Sequence, residues 1–144
     1  MRSDYLNNNS SVGDVAAKFQ VIAVAKTLDD ADSGKVFGID QDSGAYEITL
    51  PLVKNVTPGW NVRFLLTDVG SNAVTIANNT GEDTIVGYTS GGDGGAGSST
   101  DSTAVDEIVF ISGAQLGDKV DLFCDGTYYY AQATAHDVAH ITIS

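Results

Sequence analysis

Three consecutive segments, Ala45-Tyr46-Glu47-Ile48-Thr49-Leu50-Pro51-Leu52-Val53, Lys54-Asn55-Val56-Thr57-Pro58-Gly59-Trp60 and Asn61-Val62-Arg63-Phe64-Leu65-Leu66-Thr67-Asp68, read as strand, turn and strand. Tyr46, Ile48 and Leu50 alternate with Glu47 and Thr49, the two-residue period of a half-buried β-strand. Val62, Phe64 and Leu66 alternate in the same way with Arg63, Leu65 and Thr67. Between the two strands Pro58 presets its φ for a corner and Gly59 accepts a positive φ, so the connection either reverses the chain or carries it to another sheet. Pro51 has no amide proton for a ladder and belongs at a strand end or edge.

Working outward, residues 18–25 form a nearly continuous apolar run that reads as a buried strand, and residues 35–40 form a second, shorter one. The turn between them contains Asp30-x-Asp32-x-Gly34, like the opening of a calcium loop. The EF-hand spacing fails, because the glycine falls one place early and Gln41 stands where the bidentate Glu belongs, so a solvated turn is expected. Downstream, residues 73–77, 84–88 and 105–111 read as strands separated by turn residues at short intervals, the signature of a sandwich or barrel of antiparallel strands. Asp125-Gly126, between residues 119–124 and 127–134, is the strongest local hairpin signal in the chain, read as a two-residue connection. Val120, Leu122 and Cys124 should share one face, with Asp121 and Phe123 on the other. Tyr128, Tyr129 and Tyr130 place aromatics on both faces of the return strand, so at least one ring should be exposed or at a subunit contact.

The expected fold is therefore all-β, an antiparallel β-sandwich or barrel, jelly-roll-like, with a flexible N-terminal arm. Residues 1–13 are polar and form the arm, with Tyr5 and Leu6 an isolated apolar pair; residues 14–18 fit one helical turn. Residues 14–144 make a single β domain carrying a Gly/Ser-rich loop at 89–104. That loop has neither the lysine nor the helix start of a phosphate cradle.

Composition narrows the functional classes. At 144 residues and 42% apolar content the chain has enough material for one buried core. The net charge of −12 lacks the basic side chains that displace phosphate counterions or hold a chain to anionic lipid, so neither nucleic acid nor membrane is an expected partner. There is no apolar leader and no run long enough to span a bilayer. Cys124, the single cysteine, reads as a small buried hydrophobe. His136-Asp137-Val138-Ala139-His140 superficially resembles the zincin H-E-x-x-H. Asp replaces the general-base Glu, and in a β-strand an i, i+4 pair sits about 13 Å apart. Two separate surface histidines are the expectation, and no metal, cofactor or catalytic group is assigned.

The order of pieces carries one resemblance. Asp32-Ser33-Gly34-Lys35-Val36-Phe37, Tyr46-Glu47-Ile48-Thr49-Leu50-Pro51, Pro58-Gly59-Trp60 with Val62-Arg63-Phe64, Ala73-Val74-Thr75-Ile76, Gly81-Glu82-Asp83-Thr84-Ile85-Val86-Gly87, Gly117-Asp118-Lys119-Val120-Asp121-Leu122 and Asp125-Gly126-Thr127-Tyr128-Tyr129 follow one another. Together they resemble small structural proteins of tailed bacteriophages: capsid decoration (cement) proteins, head fibres and receptor-facing tail-fibre modules. The resemblance spans residues 26–131.

It implies a homotrimer on the outer capsid surface that binds the major capsid protein and stabilises the head, made in the host bacterial cytoplasm. It further implies capsid contact through an N-terminal arm, for which Tyr5 and Leu6 are the candidates, although the arm lies outside the resembling residues. Trp60 and Tyr128 are the candidates for the subunit interface. A chain that begins at its own Met and reads as one domain favours the decoration protein. A head- or tail-fibre module binding a host-surface receptor or glycan is the alternative, for which the exposed aromatics and glycine loop would matter. A hydrolase would need convergent catalytic groups, and none is discernible in the sequence.

Overall fold

The computed structural model describes residues 18–95 and 103–144. Eleven strands occur among them: β1 (Phe19–Ile22), β2 (Lys26–Thr27), β3 (Val36–Asp40), β4 (Tyr46–Thr49), β5 (Asn61–Asp68), β6 (Val74–Ala77), β7 (Ile85–Gly91), β8 (Glu107–Phe110), β9 (Lys119–Cys124), β10 (Tyr129–Ala135) and β11 (Ile141–Ile143). Three single 3-10 turns, Asp30–Asp32, Val53–Asn55 and Val138–His140, supply the only helical geometry among the described residues. No helix there is long and apolar enough to cross a membrane.

The strands form two facing sheets. Sheet A has the order β1-β3-β5-β9-β10-β7, and sheet B the order β11-β8-β6-β4-β2. Both are mixed, which corrects the expectation of antiparallel strands throughout. β1–β3, β3–β5 and β7–β10 are parallel in sheet A, as are β2–β4 and β4–β6 in sheet B. The antiparallel pairs are β5–β9, β9–β10, β6–β8 and β8–β11.

The cause lies in how the chain is wound. From β1 to β6 successive strands alternate between the two sheets, so the chain returns to each sheet running in its former direction. Parallel neighbours need a crossover, and here the strand in the opposite sheet provides it. The turn at Pro58-Gly59, where Gly59 has φ 100°, belongs to this winding: it delivers the chain from β4 of sheet B to β5 of sheet A. The hairpin from β9 to β10 is the exception, with sequential strands in one sheet.

That hairpin is longer than expected. Cys124 pairs with Tyr129, so residues 125–128 form a four-residue loop. Asp125 sets its length by accepting the backbone N–H groups of Thr127 (2.8 Å) and Tyr128 (2.9 Å), an Asx turn that competes with the tighter reversal. The Gly/Ser-rich segment also begins later than residue 89, because β7 continues through Gly91 beside β10. β7 and β10 approach closely here: a Cβ on Gly87 would lie 2.0 Å from the Ala131 carbonyl oxygen, so only glycine fits.

The core fills the space between the sheets. Val62, Phe64 and Leu66 of β5 and Val120, Leu122 and Cys124 of β9 point inward as their alternation requires. Ile48, Ile76, Ile108 and Phe110 of sheet B meet them from the other side. Phe37 and Phe64 stack at 5.8 Å, and Trp60 meets Tyr129 edge-on at 5.6 Å. Two hydrogen bonds satisfy the polar ends of these buried aromatics: Trp60 Nε1–H donates to the Asp29 carbonyl (3.0 Å) and Tyr129 O–H to that of Pro51 (2.6 Å). Tyr46, half-buried, donates to the Ile22 carbonyl, and burial pushes its hydroxyl up to about 12.

Residues 18–25 depart from the expected buried strand. Only Ile22 reaches the core, while Phe19 (48% exposed), Val21 and Val24 face outward. β1 is the outermost strand of its sheet, paired with β3 on one side. An unbroken apolar run fits a strand buried on both faces; here it lies on an edge with one inward contact.

Cys124 is buried as expected, its thiol raised by desolvation, with Gly126 N–H directed at Sγ (3.4 Å). It is therefore expected to resist 5,5'-dithiobis(2-nitrobenzoate) in the native protein and to react stoichiometrically in denaturant. Rapid labelling of the native chain would show that the β9 end opens.

Candidate functional site

Two arrangements of side chains stand out beyond the core. The first is the outer face of sheet A, where strand register builds two rows. Asn61, Phe123, Tyr130 and Val86 are successive neighbours across β5, β9, β10 and β7. One step of two residues along the strands, about 7 Å away, Val36, Arg63, Asp121, Gln132 and Tyr88 form a second row across β3, β5, β9, β10 and β7. These residues line a recess of about 650 Å³, within the range of small-ligand pockets.

Its polar groups are held in place. Asp121 receives Arg63 through Nε (2.5 Å) and Nη2 (3.3 Å), with Lys119 Nζ at 3.6 Å. Hydrogen bonding to that carboxylate raises the Arg63 guanidinium above its ordinary value. The pair is exposed and contributes under about 1 kcal/mol to stability; its role is to fix orientation. At the rim Tyr130 donates its hydroxyl to Asp125 (3.0 Å), and this hydrogen bond raises the phenol pKa. Asp125 is itself lowered by the Tyr128 and Thr127 amides. The Tyr128 ring meets Tyr130 edge-on at 6.4 Å.

The second arrangement centres on Asp118, whose side chain has 0% exposure. Oδ1 accepts His136 N–H (2.8 Å) and faces His136 Nδ1 (2.6 Å); Oδ2 accepts Gln115 N–H (2.8 Å) and faces His140 Nδ1 (2.8 Å). Burial works to raise this carboxyl, but the Gln115 amide and the two histidines outweigh it and hold Asp118 below the usual range. An ionised carboxylate only accepts, so the Nδ1 atom of each histidine is the donor. The result is a clamp tying the β8–β9 connection to the segment after β10.

This corrects the expectation of two separate surface histidines. The distance argument assumed extended chain, but Val138–His140 is a 3-10 turn whose N-cap, Asp137, accepts Ala139 N–H at 2.8 Å. The turn brings His140 back toward His136, onto one carboxylate. Asp137 as a cap was the legible signal. Asp118 itself gave none, because its two histidine partners lie 18 and 22 residues away.

The other expected residues separate. Trp60 is 1% exposed and belongs to the core, so the folded chain offers none of its ring to a second subunit. Tyr128 is exposed at the hairpin tip. Tyr5, Leu6 and the helical turn expected near residue 14 lie outside the described residues. The Asp30/Asp32 turn uses its carboxylates internally: Asp30 accepts Thr57 N–H (2.7 Å) and Asp32 pairs with Lys35 Nζ (2.6 Å). Among the described residues no group of three or more His, Cys, Asp or Glu side chains is arranged to hold a metal. Compared with protein-family models, curated proteins and solved structures, the chain matches none of them.

Proposed function

We propose that this chain is a structural, non-enzymatic protein of a tailed-bacteriophage virion. In this reading it binds the major capsid protein on the outer surface as a homotrimer and stabilises the head. The observation that carries the reading is the apolar edge of sheet A. Phe19, Val21 and Val24 are exposed on and beside β1, and β1 has no second strand partner among the described residues. An edge strand offers main-chain donors and acceptors to another chain, and isolated proteins ordinarily blunt such edges with charge. Tyr5 and Leu6 precede β1 in the sequence, and in this reading they belong to the same contact as the edge. The net charge of −12 suits a domain displayed in many copies in solvent.

Copy number relative to the major capsid protein, from quantitative mass spectrometry of purified virions, tests the proposal. Comparable abundance supports a shell-covering protein; a few copies per particle would replace it with a fibre. Deleting residues 1–12 is expected to leave the melting transition of the β domain in place while weakening particle binding. Unchanged binding would remove the arm from the contact.

A further inference from the structure

We infer that the recess on the outer face of sheet A is a binding site for a neutral oligosaccharide. The argument starts from the two rows of side chains. A pyranose ring presents an apolar face of C–H groups and an edge of hydroxyls that both donate and accept. The first row supplies exposed aromatic surface, Phe123 and Tyr130, 47% and 44% exposed on neighbouring strands. The second row supplies Arg63, Asp121 and Gln132, whose planar polar groups suit paired hydroxyls. With the rows about 7 Å apart, a ring stacked on the first carries its hydroxyls over the second.

Charge decides against an anionic ligand. Arg63 and Lys119 share Asp121, Lys35 is paired with Asp32, and Asp125 stands at the rim on the Tyr130 hydroxyl, so three cations around the recess face three carboxylates. Pairing of this kind leaves free donors and lone pairs for a hydroxyl-rich ligand while offering little to a phosphate. The volume, about 650 Å³, matches a ligand of a few rings. The recess is also organised in advance: Asp125 holds the Tyr130 hydroxyl, Tyr128 backs its ring, and Gly87 keeps β7 against β10. Less side-chain ordering then remains for binding to accomplish. The recess extends as far as Val36 of β3, but Phe123, Tyr130 and Gln132 lie on β9 and β10, separated by β3 and β5 from the β1 edge of the proposed capsid contact.

The test uses the full chain, isotopically labelled, titrated with maltotriose and chitotriose at millimolar concentration, followed by an array of bacterial surface polysaccharides. At least one saccharide is expected to shift backbone resonances around Phe123, Tyr130 and Gln132. Tyr130→Ala and Gln132→Ala are each expected to weaken that binding about tenfold or more, with unchanged melting because both side chains are exposed. Should Tyr130→Ala fail to fold, Phe123→Ser and Gln132→Ala decide. The inference is overturned if no saccharide binds, if shifts map to another surface, or if the variants bind as well as the parent. It is also overturned if the same resonances move with protein concentration alone, which would make a second copy of the chain the occupant.

Discussion

Trp60→Ala is expected to destabilise the fold by about 4 kcal/mol, the cost of a large-to-small change at a fully packed aromatic. The indole lies 1% exposed against Tyr129, and its N–H is a partner of the Asp29 carbonyl. Truncation therefore opens a cavity and removes one hydrogen bond to the Asp29 carbonyl, which keeps the Asp32 N–H (3.1 Å) as a partner; the two losses add. For a domain of this length the loss corresponds to a fall in melting temperature of more than about 10 °C. Trp60→Phe keeps most of the volume but strips the donor, and should cost about 1–2 kcal/mol. Urea denaturation followed by circular dichroism measures both. A Trp60→Ala protein that melts with the parent would return this residue to the surface and to the subunit interface that the resemblance implied.

The second large effect falls on the histidine clamp. Asp118→Asn replaces an acceptor-only carboxylate with an amide that can satisfy one donor pair but turns its NH₂ toward the other. Four donors converge on the native side chain, so the variant is expected to lose about 3 kcal/mol at neutral pH. The sign of the pH dependence follows from the depressed carboxyl of Asp118. The native state holds fewer protons than the unfolded chain around the ordinary aspartate value, near 4. The stabilisation is therefore complete above that value and is lost as pH falls through the lower, folded one. Urea midpoints measured from neutral to acid pH should show the parent losing this increment while Asp118→Asn does not. Parallel curves would mean that Asp118 titrates alike in both states, and that the clamp contributes no charge-dependent stability.

Local alternation carried a large part of the structure. The period-two pattern in residues 61–68 and 119–124 determined which side chains enter the core, since a strand has only two faces and one of them is buried. It also placed Cys124 inside and left an aromatic outside beside Tyr129, as a run of three tyrosines must. The two rows on sheet A were half legible in the same way. That Arg63, Asp121 and Phe123 point outward is written in their own strands; that Asp121 sits between Arg63 and Gln132 depends on register.

Strand direction was not legible. A turn after a short strand looks the same whether the chain reverses beside itself or crosses to the facing sheet, because both need a corner residue and a change of heading. Pro58-Gly59 took the second route and Asp125-Gly126 the first. Edge position was hidden for a related reason: the apolar run at residues 18–25 records side-chain chemistry, whereas its exposure depends on how many strands lie beside it. The sequence by itself determined a β fold, the inward faces of its strands and the burial of its cysteine, all properties of neighbours along the chain. The parallel winding, the outermost position of β1 among the described strands and the meeting of His136 and His140 on Asp118 were decided only in the tertiary structure, where residues far apart in sequence compete for the same partners.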